Sequence, residues 1–94
     1  MIRIDTRRVV YLSQLDEDSF FRWAKRLRCV TSIDVGYLHI RSKTLSDADL
    51  RDLIALLYRY KVPMHTLKQF GTPANKHWFK SKTKYWYRRV FGDA

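Results

Sequence analysis

Residues 75–91 read NKHWFKSKTKYWYRRVF, a stretch that mixes lysines, arginines and large rings and holds no carboxylate. Those residue types suit a polyanion. Cations along a phosphate track supply attraction, and flat rings supply stacking worth about 1–3 kcal/mol per base. Lys76, Lys80, Lys82, Lys84, Arg88 and Arg89 offer the charge, and Trp78, Tyr85 and Tyr87 are the rings expected to meet a ligand. Phe79, Trp86 and Phe91 complete the aromatic set. A small domain also needs rings for its interior, so about half to two thirds of these six are expected to be core. Tyrosine and tryptophan keep a polar handle, which lets one or two of them stay accessible.

A second basic cluster, Arg22, Lys25, Arg26 and Arg28, falls at helical spacing. It reads first as the solvated side of an amphipathic helix. The histidines, His39, His65 and His77, are scattered, and Cys29 is the lone cysteine. Zinc needs three or four Cys or His ligands, usually in close pairs, so no metal site is expected. His65 and His77, with Lys68, Tyr85 and Arg88, supply the types a metal-independent ribonuclease would use for proton transfer and charge stabilisation. Their spacing singles out no such geometry, and no catalytic residue is assigned. The three glycines stand apart, so neither a phosphate loop nor a dinucleotide fingerprint is present, and no cofactor is expected. Asp47, Asp49 and Asp52 sit where helix capping explains them. Cys29 is expected to pack as a small hydrophobe. The chain also lacks the aromatic signature of RNA-recognition domains and the paired ligands of zinc fingers.

Charge gives these residues a direction. Nineteen basic and nine acidic side chains leave a formal net charge of +10. Residues 1–60 carry eleven basic and eight acidic groups and residues 61–94 eight and one, so most of the excess lies in the final third. Such a field attracts anions and speeds their encounter, whether nucleic acid, an anionic membrane surface or an acidic protein.

The elements that must position them follow from periodicity. RVVYL at 8–12 has strand composition, with Ile2 and Ile4 extending it or forming a separate short piece. Ser13 followed by Asp16 forms the start of a capping box, and Phe20, Trp23, Ala24 and Leu27 make one apolar helix face. Val30 to Ile33 and Tyr37 to Arg41 read as two short strands about a turn at Asp34, Val35 and Gly36, with a single bulged strand as competitor. Ser46 caps a second helix whose stripe is Leu50, Leu53, Ile54 and Leu57, ended before Pro63. Pro63 opens a short helix with Met64, Leu67 and Phe70 inward, closed by Gly71, and Thr72–Pro73 opens another carrying Trp78 and Phe79. Residues 82–91 fit helix or strand equally. A predicted hairpin lies between the two long helices, which argues against a helix-turn-helix.

The expected architecture is therefore a single α+β domain over residues 1–94. A small antiparallel sheet of two to three strands, in β-α-β-β-α order, is covered on one face by two amphipathic helices, with short helices at the C-terminus. The longest apolar run, Leu53 to Leu57, is far below the roughly 20 residues a membrane span requires, so no membrane span is expected. With one cysteine and a charged N-terminal stretch, a cytoplasmic location is expected. Three functions fit: a non-enzymatic domain that binds or associates with nucleic acid; a protein-interaction module, such as a small bacterial inhibitor or immunity-type partner that docks an acidic protein surface; and a small ribonuclease.

Overall fold

The structure is a computed structural model, and it describes residues 2–42 and 44–92. The first element is a strand, β1 (Ile2–Asp5), in which Ile2 and Ile4 are buried while Arg3 faces out. Helix α1 (Gln14–Arg26) begins at Ser13, whose hydroxyl accepts from the Asp16 amide at 3.2 Å. Strands β2 (Val30–Asp34) and β3 (Tyr37–Ile40) form a hairpin. Helix α2 (Asp47–Arg59) repeats the cap, with the Ser46 hydroxyl accepting from the Asp49 amide at 3.1 Å. Both helices place aspartate or glutamate in the first turn and basic groups in the last, as the helix dipole favours. A 3₁₀ segment (His65–Phe70) follows, then α3 (Lys76–Phe79) and α4 (Tyr87–Phe91).

The sheet is antiparallel throughout, in the order β1-β3-β2. Residues paired across it share a face, so Ile2, Ile4, Leu38, Ile40 and Ile33 turn toward the helices. Phe20 and Ala24 of α1 and the whole Leu50, Leu53, Ile54 and Leu57 stripe of α2 are buried in the same core. Leu27, just past α1, and Val62, Met64, Leu67 and Phe70 extend it toward the C-terminus. Two strands about a turn are present rather than the single bulged strand, and a separate irregularity lies at the start of β2. Gly36 takes φ +84°, a left-handed angle that favours glycine, and the β2–β3 register slips between Val30 and Ser32.

One expected element is displaced. Residues 8–12 are not a strand, and the shorter stretch at Ile2–Asp5 pairs with β3 instead. A local turn decides this: the Asp5 carboxylate accepts from the Arg7 amide at 2.9 Å and from the Arg7 guanidinium at 2.8 Å, bending the chain off the ladder. Arg7 holds the Asp5 carboxyl well below the usual carboxylate range, at about 2. Thr6 then donates its amide to the Gly36 carbonyl at 2.8 Å, which fixes the register at the sheet's end.

Helix α2 stops three residues before Pro63 is reached, and the stop is a backbone closure rather than the proline itself. The Val62 amide donates to the Leu57 carbonyl at 2.9 Å and the Lys61 amide to the Tyr58 carbonyl at 3.3 Å. These are the paired bonds of a Schellman motif. Its left-handed position, normally glycine, is held by Lys61 at φ 57°. A side chain there costs about 1 kcal/mol.

Replacing Leu53 with alanine is expected to cost about 2–5 kcal/mol, whereas Ile54→Val should cost only about 0.5–1.5. Urea unfolding of both variants checks this; equal midpoints would contradict the packing described. Burial also pushes the Cys29 thiol from an ordinary 9.0 up to about 11. The folded thiol holds its proton more tightly than the unfolded one. Its contribution to stability is therefore full below about pH 9 and is lost as pH climbs toward 11. At pH 8 a disulfide reagent should label Cys29 at least about tenfold faster in urea than in the native protein, because only the thiolate reacts.

Candidate nucleic-acid interface

The aromatic C-terminus divides into an interior and one outward corner. Trp78, Phe79 and Trp86 are buried, three of the six rings, and Tyr87 and Phe91 are half-buried. The Trp86 indole donates to the Phe79 carbonyl at 3.0 Å, and the two indoles meet edge to face at 6.0 Å. Arg51 of α2 lies 4.0 Å over the Trp78 ring, so that face is already occupied. The Trp78 indole N–H is buried with no acceptor among the described residues. Asn75 closes the turn before α3, accepting from the Thr72 amide at 2.8 Å and donating to the Phe70 carbonyl at 3.0 Å. These contacts give Trp78 a packing role. They leave Tyr85 as the outward ring, 52% exposed.

Tyr85 stands edge-on to Tyr58 at 4.7 Å and to Trp86 at 4.9 Å. Partial burial against Tyr58 raises its hydroxyl above the ordinary 10.0, so the ring is neutral at physiological pH and offers no charge to repel a phosphate. Arg89 sits 4.7 Å from the centre of the Tyr58 ring and donates to the carbonyls of Tyr58 and Val62 at 3.3 and 3.4 Å. The cation thereby satisfies carbonyls at the negative end of α2 and ties α4 to that end.

Around this corner the structure joins Tyr85 and Arg89, expected as ligand contacts, to residues that received no binding role from the sequence. Tyr58, Arg59, Lys61, Tyr85 and Arg89 line a shallow depression of about 460 Å³ together with Trp23 and Ala55. Trp23 also lines a second depression of about 420 Å³, with Ser19, Arg22, Arg26, Leu27 and Asp52. The two meet at Trp23 on the outer side of α1 and α2. Together they present five cations, Arg22, Arg26, Arg59, Lys61 and Arg89, against the single carboxylate of Asp52. Trp23 belongs to the inward stripe by spacing, yet it stands at the stripe's edge and is half-buried.

The remaining sequence-derived residues are dispersed. Lys76 and Lys80 line a separate depression with Gly71, Thr72 and Pro73. Lys80 reaches to 6.0 Å from the Phe91 ring and Lys84 to 6.0 Å from the Trp86 ring, stems laid along apolar surface in both cases. Lys82 and Arg88 are exposed and line neither half of the groove. The structure thus joins Tyr85 and Arg89 of that set and separates Lys76 and Lys80 from them. Arg59 and Lys61 received no role from the sequence. Their one signal was a lysine at the position before Val62–Pro63 where a glycine would close the helix without strain.

The other groups that could do chemistry lie elsewhere. His65 and His77 are both exposed, and no hydrogen bond among the described residues joins either to an acid or a base. On the uncovered sheet face His39 Nε2 is 2.7 Å from the Asp34 carboxylate, and Arg3 and Arg7 lie 4.8 and 5.3 Å from the Tyr37 ring. That face carries Asp5 and Asp34 among its cations, so its charge is mixed. Among the described residues no three His, Cys, Asp or Glu side chains gather as a metal site, and no helix is long and apolar enough to cross a membrane. No protein-family model, curated protein or solved structure matches the chain.

Of the three tryptophans only Trp23 is placed to meet a solute. Acrylamide should therefore quench a minority of the native tryptophan emission, and Trp23→Phe should remove most of that quenchable part. A quenchable signal that survives Trp23→Phe would mean Trp78 or Trp86 is open to solvent.

Proposed function

We propose that the protein is a non-enzymatic nucleic-acid-binding domain that takes single strands across the outer groove of α1 and α2. One observation carries this reading: the outward Tyr85 ring lines one depression with Arg59, Lys61, Arg89 and Trp23 and stands edge-on to Tyr58. Cations flanking flat rings are what a phosphate–base repeat requires, and every base presents a face on which a ring can stack. Arg22 and Arg26 continue the charge beyond Trp23, so the track runs past a single nucleotide. Among the described residues Arg22, Arg26, Arg59 and Lys61 enter no ion pair, which leaves their charge for a ligand. Arg89 is engaged with backbone carbonyls and acts by holding Tyr58 in place.

Lys61 supports the same reading through its strain. The left-handed position at the end of α2 would be filled more stably by glycine, yet it presents a lysine to the groove.

Binding of a thymidylate 15-mer, followed by fluorescence anisotropy, should weaken with salt on a log–log slope near −3, about −0.7 for each of four phosphate contacts. Tyr85→Ala should lower affinity about 5- to 150-fold, the equivalent of one stacked base at about 1–3 kcal/mol. A slope near zero, or a Tyr85→Ala variant that binds as well as the parent, would remove the proposal. Lys61→Gly should move two readouts in opposite directions. The thermal midpoint should rise, since about 1 kcal/mol of strain is relieved, while oligonucleotide affinity falls by several-fold with the loss of one phosphate contact.

A further inference from the structure

Residues 8–12 keep the composition of a strand without belonging to the sheet. Val9 and Tyr11 pack against the core, while Val10 is 76% and Leu12 89% exposed. Alternation with a period of two is what an extended backbone produces. The inward side is firmly held, with the Tyr11 ring 5.7 Å from Phe20, 6.1 Å from Phe21 and 6.5 Å from Tyr60. Both ends are pinned as well: the Val9 amide donates to the Thr6 carbonyl at 3.2 Å, and the Leu12 amide to the Asp16 carboxylate at 2.9 Å. Between the pins, no backbone hydrogen bond among the described residues ties Val10 or Tyr11 to the sheet or to a helix. Leu15, in the first turn of α1, adds a third outward apolar side chain at 78% exposure.

An extended segment with open backbone groups and outward apolar side chains is a template for another strand. Its surroundings select the occupant. Val10 and Leu12 line a depression of about 530 Å³ with Arg8, Arg59, Lys61, Tyr60 and Asp16. Three of those side chains are cations, and the one carboxylate already accepts the Leu12 amide. A second copy of a chain with net charge +10 meets repulsion there, whereas a segment bearing carboxylates meets complementary charge.

We propose that residues 8–12 form a docking strand for an extended acidic segment of another protein. The incoming backbone pairs with the open N–H and C=O of Val10, the Tyr11 groups pointing to the opposite edge of an extended segment. Its apolar side chains cover Val10, Leu12 and Leu15, and its carboxylates face Arg8, Arg59 and Lys61. This surface is distinct from the Tyr85 ring, and the inference does not depend on nucleic-acid binding.

The probe is a blocked ten-residue peptide of alternating valine and glutamate, added to isotope-labelled protein free of nucleic acid, with amide exchange read residue by residue. Exchange at Val10 should slow at least about tenfold at saturation, as newly paired amides do, with Tyr11 on the opposite edge changed less. A Val10→Ser/Leu12→Ser variant, altered only at exposed positions, should keep its thermal midpoint and bind the peptide about tenfold or more weakly, roughly 1.4 kcal/mol. Absence of slowed exchange at millimolar peptide overturns the proposal. So does equal binding of a valine–lysine peptide, or full affinity in the double variant. Concentration-dependent dimerisation with protection confined to residues 8–12 also overturns it, by making a second copy the occupant.

Discussion

The central strand β3 is the constraint on which the rest of the molecule depends. It is four residues long, pairs on both edges, and points Leu38 and Ile40 fully into the core. A three-stranded sheet of such short strands has little stability alone and must bury one face against something else. The stripes of α1 and α2 serve that need, and their positions follow from it. With the sheet beneath them, the two helices turn their polar sides outward together. The groove at Trp23 is therefore a consequence of how the sheet is covered.

The same demand for apolar volume sorts the aromatic C-terminus. The helices and sheet leave one end of the core open, and Trp78, Phe79, Trp86 and Val90 close it. A ring used in this way cannot stack on a ligand. Trp78 is engaged twice over, by the core on one side and by Arg51 on the other. Tyr85 escapes because it precedes α4 and meets Tyr58 only by its edge. The result is one available tyrosine where the sequence offers six rings, and the groove's other rings, Tyr58 and Trp23, come from the long helices.

Much of the fold was legible because several local signals coincided. At Ser13 and Ser46 the cap, the acidic first turn and the apolar period agree, and both helices start there. The strand assigned to residues 8–12 failed because composition reports a preference for extended backbone without naming a partner. An aspartate two residues before Arg7 turned the chain first. Of the residues that line the groove, Tyr85 and Arg89 came from the segment's own composition. Tyr58, Arg59 and Lys61 were hidden because their meaning is tertiary: α4 returns to the end of α2, and only that return sets Arg89 against Tyr58. No period within a single helix encodes such a meeting.

The C-terminal end of α2 is thus an electrostatic junction. Its terminal carbonyls attract cations in any helical protein, and here Arg89 adds a donor to the Tyr58 carbonyl and bonds the Val62 carbonyl just beyond the helix. Arg59 and Lys61 share the same field but carry no bond to those carbonyls, so their charge extends outward instead of being consumed locally. Both side chains line the depression beside Tyr85 and the one beside Val10 and Leu12. Two anionic ligands approaching from these sides would draw on the same pair of cations. Neutralising the pair from one side lowers the potential on the other, because the same two side chains line both depressions. The two surfaces are separate in their apolar contacts and coupled through charge, and that coupling is fixed by where α2 ends.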